Sequence, residues 1–305
     1  MGIHTTELFF EGQFEEENHN LNYLGPTIRG AFGHALRNVV CHAPPKTECN
    51  NCRHEATCPY THIFNGRPPA DRTMMRKYPA IPQPFVLHVA PPDSWWGEPR
   101  ELRFGIRLFG PAVNMSQYII ESMIHIANQG LGPKRTRFTL HTILDGKEGN
   151  VIWNKGDDSI VQTNVFSIEP KNEPISNTLQ WSFETPVCIR KKGRQVNRIH
   201  GIDLVLAGRR RWNILNAFYS AEENTESVDR IEESAFRVLD NNIRPWSIQR
   251  YSGRQHRKVP LSGITGKVTI QGPWQQAGNW LHCASDIHLG KHCSFGFGRV
   301  SWKQV

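Results

Sequence analysis

The chain has 305 residues, enough for two domains of about 150 residues each, and its 38% hydrophobic and 21% charged content without a low-complexity tract excludes a disordered protein. No run approaches the ~18 apolar residues of a membrane span. The opening MGIHTTELFFEGQF lacks the basic start and apolar run of a secretory signal, so the expected location is the cytoplasm, with no membrane partner. Thirty-six Lys and Arg against twenty-eight Asp and Glu give a formal net charge of +8.

Alternating Ile3, Leu8, Phe10 and Phe14 predict a first strand over residues 3–14. A helix follows from near Tyr23, with Ile28, Ala31, Phe32, Ala35, Leu36 and Val39 on one face. A Cys- and Pro-rich insertion over about 41–80 precedes strands at 84–89 and 101–109. A second helix carries Met115, Ile119, Ile120, Met123, Ile124 and Ala127, stops at Gly130-Leu131-Gly132-Pro133, and leads into a strand over 137–144. This order, β-α-β-β-α-β, is the ferredoxin-like arrangement.

Residues 145–175, rich in Gly, Asp, Asn and Pro, read as a linker with strand character around 151–153. The order then starts again with a strand at 178–187, a helix near 202–221 with an extension over 229–240, and strands at 243–251 and 259–271. A helix opened by Pro273, with Trp274, Ala277, Trp280, Leu281 and Ala284 on one face, and a last strand over 297–302 complete it. The expected fold class is α+β, two tandem ferredoxin-like (RRM-like) domains. They span residues 1–145, with the Cys-rich insertion, and 176–305, with a glycine-rich loop, joined by a linker over 146–175.

The basic excess lies toward the C-terminal half. Residues 190–211 hold Arg190, Lys191, Lys192, Arg194, Arg198, Arg209, Arg210 and Arg211 against Asp203 alone. A second cluster, Arg244, Arg250, Arg254, Arg257 and Lys258, is interleaved with Trp246, Tyr251 and His256. Cations among aromatic rings suit a phosphate backbone with unstacked bases. A solvated basic face is the competing reading of each cluster.

Cys41, Cys49, Cys52 and Cys58 form C-x7-C-x2-C-x5-C, whereas Cys188, Cys283 and Cys293 are scattered. Without a secretory signal a disulfide framework is not expected. The inner C-x2-C has zinc-knuckle spacing, so a structural zinc on these four is one reading. An iron-sulfur cluster and plain reduced cysteines are the others.

Near the C-terminus, HLGKHCSFGFGRVSW places Gly290, Gly296 and Gly298 between the last helix and the last strand, where glycine lets backbone amides approach an anion, and Lys291 and Arg299 add charge. Dinucleotide and P-loop fingerprints run from strand to helix, so a nucleotide cofactor is not indicated. These residues, with LGPTIRGAFGHALRNVVC, CNNCRHEATCPYTHIF, PQPFVLH, SGITGKVTIQG and IHLGKHCSFGFGRV in that order, make the chain resemble the CRISPR-associated precursor-RNA-processing endoribonucleases of the RAMP superfamily. The resemblance covers most of the chain, excepting the linker and the first helix of the second half.

The resemblance implies a metal-independent cut of CRISPR repeat RNA, in which the ribose 2′-hydroxyl attacks the adjacent phosphate to leave a 2′,3′-cyclic phosphate and a 5′-hydroxyl. Other subunits of an interference complex are possible partners. A base, an acid and positive charge are required, and histidine suits the first two roles. His34 falls roughly 130 degrees from the centre of the first helix's apolar stripe, on the side of Gly30 and Arg37. The family places its active histidine in or just after this helix, so His34 is the preferred acid/base residue, with His42 in reserve and Tyr23 as a possible ribose-orienting or proton-transfer partner. Arg29, Arg37 and Lys46 in the first half, and His288, Gly290, Lys291, Gly296, Gly298 and Arg299 in the second, are the expected RNA contacts. A non-catalytic RNA-binding subunit of the same superfamily is the main alternative. A weaker one is an RNA-modifying or DNA-binding protein that merely shares the fold.

Overall fold

The computed structural model describes residues 2–16, 23–44, 47–91, 94, 100–221, 231–252 and 256–305. The chain divides into two compact units, one formed by Ile3–Ser167 with Ala217–Ala221, the other by Met1–Gly2, Ile168–Asn216 and Glu222–Val305.

In the first unit, β1 (Ile3–Phe14), α1 (Gly25–Val40), β2 (Phe85–His88), β3 (Glu101–Phe109), α2 (Ser116–Gln129) and β4 (Phe138–Asp145) follow the expected order. The sheet runs β2-β3-β1-β4, antiparallel throughout, so the two sequence-distant strands β1 and β3 are neighbours as ferredoxin-like topology requires. Residues 151–154 and 166–168, expected within a linker, are strands of this same sheet: β5 (Val151–Asn154) pairs with β4 and β6 (Phe166–Ile168) with β1.

As the central strand, β1 is covered on both faces. Leu8, Phe10 and Phe14 lie with the helices' apolar stripes in the core. On the opposite face Glu7 is buried against Arg107 (2.7 Å) and His88 (3.2 Å), a burial that the Arg107 guanidinium offsets. Pro26 opens α1, and Ile28, Phe32, Ala35 and Leu36 are its buried stripe, while Ala31 and Val39 at the stripe's edge are half-buried. Ile119, Ile120, Met123 and Ile126 are the buried apolar residues of α2, which packs on α1 and ends at Gly130 (φ 83°), whose N–H bonds to Ile126 O (2.8 Å).

The second unit contains β7 (Thr178–Val187), the short hairpin β8 (Arg190–Lys191) and β9 (Arg194–Gln195), α3 (Gly201–Tyr219), β10 (Arg237–Ser252), β11 (Arg257–Gln271), α4 (Ala284–Ile287) and β12 (Val300–Gln304). Its main sheet runs β10-β11-β7-β12, the same topology again. Of the expected helical extension, residues 229 and 230 lie outside the described residues. The rest is a 3₁₀ turn at Glu233–Ala235 followed by the start of β10.

The expected helix after Pro273 is instead two 3₁₀ turns, Trp274–Ala277 and Asn279–Cys283, and the single turn α4. Gly278 between them has φ 111°, a backbone state outside any right-handed helix. The apolar positions still serve the core: Trp274, Ala277, Trp280 and Ala284 are 0% exposed and Leu281 1%. Trp181 packs against Trp274 and Trp280 with ring centroids 5.6 and 6.4 Å away, and the indole N–H groups of Trp274 and Trp280 donate to Ile270 O and Ala277 O. The last strand begins at Val300, not at residue 297, because Gly298 (φ 82°) still turns the chain.

Gly208 on α3 lies directly under Trp280, where a Cβ would stand 2.1 Å from the ring. Gly208→Ala gains about 1 kcal/mol of helix propensity. The rigid buried indole must move, so overpacking of about 1–3 kcal/mol is expected to prevail. Urea unfolding should show a lower midpoint at unchanged slope, and an equal or higher midpoint contradicts this packing.

Candidate functional site

His34 is exposed on α1, opposite the buried stripe, with exposed Gly30 one turn before it and exposed Arg37 one turn after. A Cβ built on Gly30 meets nothing within 4 Å, so the helix surface beside His34 is open to a ligand. Arg37 reaches Thr47 O (3.3 Å) and lies 6.0 Å from the Tyr60 ring.

Gly33, the residue just before His34, has a structural reason to be glycine. A Cβ there would stand 2.3 Å from Phe64 Cζ, so the π-helical turn Thr61–Asn65 docks directly on α1. Phe64 stacks on Tyr60 (5.5 Å, 19°) and the Arg29 guanidinium sits 4.5 Å over the Phe64 ring. The result is a row of Arg29, Phe64, Tyr60 and Arg37 alongside the His34 face. Arg29 also donates to Gln83 Oε1 (3.1 Å), whose amide in turn donates to Phe64 O, so this expected RNA contact is committed to holding Phe64. Burial pushes the Tyr60 hydroxyl pKa up, helped by neighbouring Cys49 and Cys58 and opposed by Arg37 and Arg29.

His42 is exposed just beyond the helix, after Cys41, whose N–H caps Arg37 O (2.9 Å). Tyr23 is 3% exposed, so the structure places it among the packing residues at the helix start and not at an open surface. Lys46 lies outside the described residues.

Cys41, Cys49, Cys52 and Cys58 line one small pocket together with Arg37 and Tyr60. Among the described residues, however, no three His, Cys, Asp or Glu side chains meet as metal ligands. This arrangement of the residues therefore gives the structural-zinc reading no support. Cys41 is exposed, and the described residues from Cys41 to Tyr60 have no buried side chain.

In the second unit the glycine-rich loop is tighter than an anion cradle. A Cβ on Gly290 (φ 84°) would stand 2.4 Å from Cys188 O, and one on Gly298 (φ 82°) 2.2 Å from Leu289 O. The Gly296 N–H donates to Cys293 O (2.9 Å) and the Gly298 N–H to Pro186 O (2.9 Å), and both glycines are buried. Their amides close the loop on the protein and are spent there. His288 is 0% exposed with Nδ1 2.8 Å from Phe297 O, a brace and not a surface contact. Arg211, counted in the basic cluster, is buried and donates to Ile287 O (3.0 Å).

What the loop presents outward is Lys291, exposed, with Gly290 and His292 half-exposed. Arg299 is partly exposed and paired with Glu184 (2.8 Å). Trp246 packs on Phe297 (5.8 Å) and Arg250 on Phe295 (4.8 Å). In contrast Arg244, Tyr251, His256, Arg257 and Lys258 are exposed on the β10–β11 hairpin, whose end extends past the β7 pairing at Ile264. Arg254 lies outside the described residues.

Sequence reasoning passed over the Phe64–Tyr60 stack and Gly33. The available signal was a glycine in the middle of a strongly periodic helix, which commonly marks a close approach.

Residues 3–165 match an N-terminal domain family model (AF_1859_N), and residues 181–300 match the family model of the CRISPR-associated endoribonuclease Cas6. Among solved structures, Thermus thermophilus Cas6 (TTHB231) superposes with TM-score 0.56 at 15% identity, covering 99% of this chain and all of that one. A Cas6 (TTHA0078) product complex gives TM-score 0.53 at 16% identity, with 99% and 100% covered. A partial Cas6-RT-Cas1–Cas2 complex gives TM-score 0.56 at 12% identity, over 100% of this chain and 46% of that one. At these identities the likeness is one of fold. No curated protein matches the chain.

Two outcomes follow from the insertion's geometry. Gly33→Ala should expel the Phe64 ring and speed protease nicking between Cys41 and Tyr60 several-fold, and unchanged nicking contradicts the docking. With a thiol reagent, Cys41 should react first and half-exposed Cys49, Cys52 and Cys58 next. Buried Cys188, Cys283 and Cys293 should react last, since burial pushes the Cys188 and Cys293 thiol pKa values up. A burst of the first four only after adding a chelator would instead show a bound cation.

Proposed function

Because the chain belongs to the CRISPR-associated Cas6 endoribonuclease family, we propose that it cuts precursor CRISPR RNA within the repeats without a catalytic metal. The ribose 2′-hydroxyl attacks its own 3′ phosphate, the P–O bond to the next nucleotide's 5′ oxygen breaks, and the products end in a 2′,3′-cyclic phosphate and a 5′-hydroxyl. The observation that carries the reading is the placement of His34, an exposed imidazole on the face of α1 that Gly30 leaves open and Arg37 flanks.

His34 moves the proton, as base toward the 2′-hydroxyl or as acid toward the leaving oxygen, and Arg37 offsets charge that grows on the phosphorane. His42, exposed at the helix end, is the reserve for the second proton, and Lys46 a further source of charge. Arg29 and the Phe64–Tyr60 stack hold the insertion beside that face. In the second unit, Lys291 on the glycine loop and the β10–β11 hairpin contact RNA. Exposed Tyr251 supplies a stacking surface for an unpaired base and Arg257 and Lys258 meet phosphates. Tyr23, His288, Gly296 and Gly298 act through packing. Association with other CRISPR interference subunits would follow product retention.

The test is cleavage of labelled repeat RNA in excess EDTA, with folding checked by circular dichroism. The expected result is a cyclic-phosphate product whose rate of formation falls about 10²–10⁴-fold in His34→Ala. Binding without cleavage points to an RNA-binding subunit. Loss of cleavage in His42→Ala alone transfers the role to the helix end, and cleavage restored only by a divalent metal overturns the mechanism.

A further inference from the structure

The acid-poor stretch after β7 is a built element. Arg190 pairs with Gln195 and Lys191 with Arg194 across the two short strands, and Lys192 (φ 51°) and Gly193 (φ 81°) make the left-handed two-residue turn that matches the strand twist. Three ties fix this hairpin to the second unit. The Val196 N–H closes its base on Ile189 O (2.9 Å). The Ser262 hydroxyl on β11 donates to Gln195 Oε1. Lys191 reaches Glu233 (3.1 Å) and Asp203 (3.7 Å), while Asp203 also accepts the His200 N–H (3.1 Å) at the start of α3.

These ties also sort the charges. Lys191 is the one hairpin cation that is neutralised, and Asp203, the lone acid of the stretch 190–211, is buried and committed to it. Lys192, Arg194 and Arg198 are exposed and have no acidic partner among the described residues, and the same holds for Lys291. Lys291 is next to the hairpin by construction: its N–H bonds Cys188 O (2.8 Å), two residues before Arg190, in an antiparallel bridge. The outward part of the glycine loop and the hairpin are thus joined by backbone, and between them Lys192, Arg194 and Lys291 are exposed cations with no acidic partner among the described residues.

We infer that the hairpin Arg190–Gln195 is a phosphate clamp that, with Lys291, tracks the sugar–phosphate backbone of the bound RNA without reading its sequence. The inference rests on the RNA-processing reading above and adds the element that supplies its sequence-independent affinity. A run of Lys and Arg on a rigid two-residue turn, with no aromatic or amide side chain exposed between them at positions 190–194, offers charge to phosphates and nothing to base edges. An acidic polypeptide is the other partner class such an edge could take, and the test separates the two.

The experiment measures binding of repeat RNA to uncleaved complex, using RNA with a 2′-deoxy substitution at the cut, over a salt series. Each lost contact flattens the dependence of log affinity on log salt by about 0.7 on single strands and about 0.9 on duplex. Lys192→Ala with Arg194→Ala should therefore flatten it by about 1.4 to 1.8 and weaken repeat and scrambled RNA alike. The charge-conserving pair Lys192→Arg with Arg194→Lys should keep the parent's slope, which separates charge from folding. A double-alanine variant with the parent's slope overturns the clamp, including when it has lost binding to an acidic polypeptide. Absence of RNA binding by the parent chain overturns the proposed function as well, and is distinguishable from a slope that fails to move.

Discussion

Phe64 presses its ring edge into the space that a Cβ at residue 33 would fill, and the layout of the first unit's functional face depends on that contact. The insertion from Cys41 to Tyr60 has no buried side chain of its own among the described residues, so it cannot be positioned by a private core. It is positioned by where it ends, at a π-helical turn lying on α1 between the Arg29 and Arg37 side chains. Apolar burial on one side of α1 and this aromatic docking on another leave a narrow polar strip, and His34 stands in it.

The second unit solves a related problem by the same means. Its loop must return from the Trp-rich turns to β12 within a few residues, so backbone passes within van der Waals distance of backbone at Gly290 and Gly298. The amides satisfy one another, the His288 imidazole braces the interior, and the polar groups left facing outward are few. What the loop offers outward is therefore the side chains at its rim and the hairpin bridged to it. Glycine in this loop serves a close-packed turn, which differs from the open nest of a phosphate-binding loop.

Much of this was legible in the sequence. The alternation of β1, the stripe of α1 and the doubled element order gave two ferredoxin-like units, and the angular position of His34 placed it on the exposed side. The same reasoning failed where backbone geometry overrides apolar spacing. Trp274, Ala277, Trp280, Leu281 and Ala284 have helical periodicity and are buried, yet Gly278 turns the chain so that they arrive there from separate 3₁₀ turns. Residues 151–153 already had strand character within a linker-like composition, whereas 166–168 look like linker because the strand is short and half-solvated, and only its pairing with β1 reveals it. Cysteine spacing left a structural zinc as one reading beside an iron-sulfur cluster and plain reduced cysteines, because spacing cannot tell four thiols that share a pocket wall from four that converge. Whether a loop glycine frees an amide for a ligand or spends it inside the fold is equally invisible until its partner is known.

The account's central claim is that the exposed imidazole on α1 reaches the reacting ribose. The most direct measurement is an experimental structure of the protein with repeat RNA carrying a 2′-deoxy substitution at the scissile nucleotide. The account predicts a His34 ring nitrogen within about 2.6–3.2 Å of the leaving oxygen, or of the position the missing hydroxyl would occupy. A scissile phosphate bound away from α1, with His34 facing bulk solvent, would contradict it.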